Sequence, residues 1–164
     1  MFRYQRYSPG PRRLAWEAPT EESCVRLSRI LMHGEERACD ANAMNFLLVA
    51  EKYRVRIALD GDILFRRYAG KTEGRTGFGF PILMEDPRCS DGYAPKALSA
   101  LDALLDDAMG KGGEVRFCLL DDTQAETISS WAAIRGFTLE WGEDEADADY
   151  LYEKASLESF SGAK

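Results

Sequence analysis

Apolar side chains alternate with others at Val55, Ile57 and Leu59, and after Asp60-Gly61 a second run, Ile63-Leu64-Phe65-Arg66-Arg67-Tyr68, returns. Such alternation on both sides of an Asp-Gly pair predicts a β-hairpin closed by that pair. Phe78 to Leu83 predicts a third strand, with Gly70, Gly74, Gly77 and Gly79 punctuating the link to it. Helical periodicity precedes the strands. Cys24, Leu27, Ile30 and Leu31 recur behind Thr20, and Glu21 and Glu22 fall in the first turn, where they complement the helix dipole; Gly34 stops the run. Ala41 to Lys52 predicts a second helix, largely buried because Met44, Phe46, Leu47, Leu48 and Ala50 are nearly continuous.

The second half repeats the alternation of types. Pro87 to Gly92 is a loop by composition, and Pro95 suits the first position of a long helix. Ala97, Leu98, Leu101, Leu104, Leu105 and Ala108 supply its apolar face, and Asp102, Asp106 and Asp107 its wet one, before Gly110-Lys111-Gly112-Gly113 ends it. Val115 to Leu120 is a dense apolar run that predicts a central strand. Thr123 and Glu126 have the spacing of a capping box, opening a helix that ends at Gly136. Phe137 to Trp141, Tyr150 to Tyr152 and, at the amino end, Phe2 to Tyr7 alternate as strands do, and Ser156 to Phe160 predicts a helical turn. The expected class is therefore α/β or α+β, one domain over residues 1–164 with a mixed central sheet flanked by helices.

Composition narrows the function classes. With 45% apolar and 30% charged residues in 164, the chain fits a globular domain with a real core. No run approaches the roughly 18 apolar residues of a membrane span, and Met1-Phe2-Arg3-Tyr4 lacks the apolar core of a signal peptide, so the chain reads as cytoplasmic. A net charge of −7 argues against direct nucleic-acid binding by this segment. The charge is uneven: Arg3, Arg6, Arg12 and Arg13 make the start basic, and Glu143, Asp144, Glu145, Asp147 and Asp149 crowd a short acidic stretch. Four cysteines without a C-x-x-C pair and one histidine, His33, leave little material for zinc, so no metal site is expected; Cys24 and Cys118 read as small buried hydrophobes.

Chemistry-bearing motifs are few. Gly74-Arg75-Thr76-Gly77-Phe78-Gly79 is the run most suited to cradling phosphate. Acetyltransferases that use acetyl-CoA place a comparable run between a strand and the helix whose amino end holds the pyrophosphate. Here Phe80-Pro81-Ile82-Leu83 follows, a strand pattern without a helix behind it, so the run reads as a hairpin connection and no cofactor is expected. Asp149 with Tyr150 and Tyr152 is the most distinctive constellation. It reads either as a sheet edge packed on the last helix or as part of a groove.

The order of features also resembles a family. Cys39-Asp40, Asn45-Phe46, Glu51-Lys52-Tyr53, Asp60-Gly61-Asp62, Gly79-Phe80-Pro81-Ile82 and the ending Asp149-Tyr150-Leu151-Tyr152, Leu157, Gly162-Ala163-Lys164 resemble the bacterial DUF2156 proteins, which are similar to the catalytic, carboxy-terminal part of phosphatidylglycerol lysyltransferase. The resemblance implies a GNAT-like (acyl-CoA N-acyltransferase-like) domain. Residues 1–164 then match the amino-terminal half of a two-domain acyl- or aminoacyltransferase-type protein. It implies a second GNAT-like domain as partner, an acyl or aminoacyl donor for the full protein, and a half that is not catalytic alone. Asp149, Tyr150, Tyr152 and Lys164 are then the candidates for an inter-lobe or substrate groove. The alternatives are a stand-alone small-molecule or protein-binding module and a self-sufficient GNAT acetyltransferase.

Overall fold

The predicted hairpin forms, at one end of the sheet. In a computed structural model that describes residues 13–31, 42–69, 76–83, 93–109 and 115–142, β1 (Arg56–Asp60) and β2 (Ile63–Ala69) pair antiparallel with Asp60 opposite Ile63. The loop is thus Gly61-Asp62, one residue later than the alternation suggested. Gly61 has φ +62° and Asp62 is not among the residues with positive φ, the pattern of a type II′ turn, whose twist matches that of the flanking strands.

The predicted third strand is divided. β3 (Thr76–Phe78) pairs with the second half of β2 and β4 (Ile82–Leu83) with the first. Arg67 faces Phe78 and Leu64 faces Ile82, so Gly79, Phe80 and Pro81 stand opposite Phe65 and Arg66. Three residues against two make a β-bulge, and Pro81 at its end has no N–H for a ladder bond. β5 (Arg116–Phe117) runs parallel to β3, with Gly77 beside Arg116 and Phe78 beside Phe117. The order is β1-β2-β3-β5, so β5 closes one side of the described sheet instead of lying centrally. A parallel pair needs a crossover, and the helix α3 (Tyr93–Met109) supplies it.

Helices cover both faces of this mixed, open sheet. Cys24 and Leu27 of α1 (Glu21–Leu31) and Ala43 and Phe46 of α2 (Ala43–Leu48) pack on Val55, Ile57, Leu64 and Ile82. On the opposite face Ala100, Ala103, Leu104 and Ala108 of α3 meet Ala58, Phe65 and Phe78. Ile128, Trp131 and Ala132 of α4 (Asp122–Arg135) meet Ala97, Leu101, Leu105, Phe80 and Leu83. Alternation along β1 and β2 feeds both cores because successive residues point to opposite faces and helices lie on both. Burial of the Cys24 thiol pushes its pKa up, against hydrogen bonds from Ser23 and the Leu47 backbone.

The helix ends show which local signals win. Thr20 and Ser23 cap α1 reciprocally: the Ser23 N–H donates to Thr20 Oγ1 at 3.1 Å and the Thr20 N–H to Ser23 Oγ at 2.8 Å. Asn42 caps α2, which ends at Leu48 and not at Lys52; Arg54, at φ +46°, turns the chain into β1. Met44 and Leu48, 54% and 74% exposed, lie outside the core that the apolar run suggested. α3 starts at Tyr93, which keeps Pro95 within the first turn, where its missing N–H costs nothing. α4 is capped by Asp121 with Gln124 in place of Thr123 with Glu126. The Gln124 N–H donates to Asp121 Oδ1 at 2.8 Å and the Asp121 N–H to Gln124 Oε1 at 3.3 Å, the same box two residues earlier. Gly136, at φ +77°, ends it: its N–H bonds to Ala133 and that of Phe137 to Ala132, a Schellman arrangement. Phe137 to Trp141 forms no strand.

The segment before α1 is pinned to the β1 edge of the sheet and to α3. Glu17 exchanges two backbone hydrogen bonds with Ile57, at 2.9 and 3.0 Å. Asp107, expected on the wet face of α3, is only 4% exposed. Its carboxylate accepts from the Leu14 N–H at 3.1 Å and from Trp16 Nε1 at 2.8 Å. Among the described residues no helix is long and apolar enough to cross a membrane.

Candidate functional site

The place in this sheet best suited to chemistry is where β3 and β5 part. In open sheets ligands settle outside the carboxyl ends of parallel strands, and bulges cluster near such sites. Cys118 N–H still reaches the Phe78 carbonyl at 2.9 Å. Beyond that point β4 pairs with β2 and not with β5. The two strands therefore diverge, with Gly79, Phe80 and Pro81 on one side and Cys118, Leu119 and Leu120 on the other.

Close approach shapes both walls. A Cβ on Gly77 would lie 2.7 Å from Cys118 Sγ, so β3 and β5 meet here only because position 77 is glycine. A Cβ on Gly79 would lie 3.0 Å from the Arg66 guanidinium. Arg66, 1% exposed, donates from Nη2 to the Phe80 carbonyl at 3.1 Å and so ties the bulge to β2. On the other wall Leu119 has φ +57°, a strained conformation for a branched side chain, just before the Asp121 cap.

Apolar side chains from both walls pack with α3 and α4. Phe80 and Leu83 from the bulged side, Phe117 and Leu120 from the β5 side and Ile128 and Trp131 from α4 belong to one apolar cluster. Phe117 meets Trp131 edge to face at 6.4 Å between centroids. Asp102 on α3 holds α4 over this cluster: it accepts from Trp131 Nε1 at 2.9 Å and Arg135 Nε at 3.0 Å, and pairs with Arg135 Nη2 as well. That hydrogen bonding raises the Arg135 pKa further, against the effect of partial burial. In the glycine-rich run, Thr76 to Phe78 are strand residues paired with β2 and β5, so their backbone is engaged in the sheet. Among the described residues no three His, Cys, Asp or Glu side chains gather to hold a metal ion.

The apolar surface continues past α4. Ile134, Phe137 and Trp141 are 53%, 39% and 55% exposed, with Phe137 stacked at a tilt on Trp131 at 5.6 Å. Leu119 is exposed as well. Asp149, Tyr150, Tyr152 and Lys164 lie outside the described residues, as do His33, Cys39, Cys89, the acidic stretch, Phe2 to Tyr7 and Ser156 to Phe160. The burial of Arg66 and Asp107 was not anticipated from sequence, since Arg66 stands next to Arg67 and Asp107 next to Asp106, and an adjacent pair of charges gives no sign of which member faces the core. No family model, curated protein or solved structure matches the chain.

Proposed function

We propose that these residues form the non-catalytic, amino-terminal lobe of a cytoplasmic acyl- or aminoacyltransferase-type protein of the DUF2156 kind, with a GNAT-like fold. The observation that carries the reading is the apolar packing where β3 and β5 part. An acyltransferase-like sheet would receive its donor where the parallel strands part, and there Phe80, Leu83, Phe117, Leu120 and Trp131 belong to one apolar cluster with α4. The order of elements supports the fold: two helices, a three-stranded antiparallel meander with a bulge in its third strand, then a helical crossover to a parallel strand. The exposed Ile134, Phe137 and Trp141 support docking of a second lobe, because they lie along the chain leading to the Asp149 to Lys164 segment.

The test supplies the adjoining lobe as a separate polypeptide and follows tryptophan emission and elution volume. A complex with blue-shifted emission is expected, weakened about tenfold or more by Trp141→Ser combined with Ile134→Ser. Absence of a complex, or one indifferent to both substitutions, overturns the reading.

A further inference from the structure

We propose that Arg56 and Arg67, the latter stacked on Trp16 on the α3 face of the hairpin, form a binding site for a phosphate-type oxyanion. The two arginines are register partners on neighbouring strands, so their Cβ atoms lie within about 5.5 Å on one face of the sheet. Like charges placed directly opposite destabilise a sheet unless something negative lies between or beside them. Asp107 lies near enough to attract Arg67, while its two oxygens accept from Leu14 N–H and Trp16 Nε1.

The pair is built as well as charged. Asp107 fixes the Trp16 indole, and the Arg67 guanidinium lies 4.8 Å from the Trp16 ring centroid. One face of the guanidinium is therefore stacked, which limits its freedom and leaves its donor edge unspent. Among the described residues no acceptor meets that edge. Arg56 donates from Nη1 to the Val55 carbonyl at 2.9 Å, which sets its own head group beside the sheet. Burial lowers the Arg67 pKa, Asp107 raises it and Arg56 lowers it, so the two cations feel each other. A guanidinium fork matches the geometry of phosphate oxygens, and two forks sharing one oxyanion would remove the mutual repulsion. The chain as a whole is anionic, so the affinity comes from these donors at short range and not from steering.

The test is a titration of the full chain with sodium phosphate against sodium chloride at matched ionic strength, reading the Arg67 Nε–Hε resonance by NMR. A saturable shift with phosphate, with Kd on the order of 1 mM, is expected, weakened about tenfold by Arg56→Gln, whose side chain does not support the core. Arg67→Lys, followed on the Trp16 Nε1–H resonance beside the site, keeps the charge but loses the fork, and weakens binding similarly. Glycerol phosphate in place of inorganic phosphate separates a phosphomonoester site, where it binds at least as well, from one for the free ion, where it binds more weakly; either outcome retains the oxyanion site. A shift equal to that with chloride, or binding unchanged in both variants, overturns it.

Discussion

Replacing Asp107 by alanine removes the acceptor for two donors at once. The Leu14 N–H is buried and the Trp16 Nε1 half-buried, and both point at this carboxylate, at 3.1 and 2.8 Å. A buried donor left unmet costs about 1–3 kcal/mol, and water entering the vacated space recovers part of that, so Asp107→Ala is expected to lose about 2–4 kcal/mol. For a chain of this size that lowers Tm by about 4–16 °C. Asp107→Asn keeps one acceptor and is expected to lose about half as much. Urea unfolding with linear extrapolation measures both losses. Trp16→Phe isolates the indole contribution: if the Trp16 to Asp107 bond matters, the cost of Asp107→Ala falls by about 1 kcal/mol in that background. A loss for Asp107→Ala within about 0.5 kcal/mol of zero, the range of an ordinary surface change, would refute the reasoning and return Asp107 to the wet face of α3.

Gly79→Ala is expected to cost about 1–3 kcal/mol, because the new Cβ meets a fully buried guanidinium that is tied to Phe80 and has nowhere to move. Gly136→Ala meets nothing within 4 Å, so its smaller cost, about 1 kcal/mol, comes from the left-handed backbone alone; equal losses in the two variants by urea unfolding would contradict the distinction. Cys24 makes stability fall at alkaline pH. The unfolded thiol ionises near about 8.5, whereas burial keeps the folded thiol protonated to higher pH. The folded state therefore holds more protons in that window, and its contribution, complete below it, is lost as pH rises through the folded pKa. Cys24→Ala should flatten the decline seen between about pH 8 and 10, and an unchanged slope contradicts the assignment.

The hairpin strands and the four helices were legible in sequence because periodicity reports burial directly, whereas the alternation of Phe137 to Trp141 forms no strand. Val55, Ile57, Leu64 and Phe65 all lie in the cores that alternation implied. Boundaries were less legible where two signals of one kind compete. Asp121 with Gln124 and Thr123 with Glu126 share a spacing, and the spacing alone does not say which of them starts the helix. Similarly, Phe78 to Leu83 has the apolar content of one strand, and the extra residue that makes it a bulge shows only when β2 is laid beside it. α2 misled because an apolar run does not tell which of its members face the sheet: Phe46 does, and Met44 and Leu48 do not. Asp107 and Arg66 were illegible for a different reason. Their burial depends on partners 93 residues away at Leu14 and 14 away at Phe80, contacts that no local pattern encodes.

The apolar packing where β3 and β5 part is the centre of the functional reading, and a thermal melt of the chain across an acetyl-CoA series tests it most directly. A ligand that binds the native state raises Tm in proportion to the logarithm of its concentration above Kd. With Phe80, Leu120 and Trp131 in one apolar cluster there, no rise beyond that given by an equal concentration of free nucleotide is expected. A saturable rise of several degrees, abolished by Leu120→Arg in that cluster, would contradict the account and make this chain an acyltransferase in its own right.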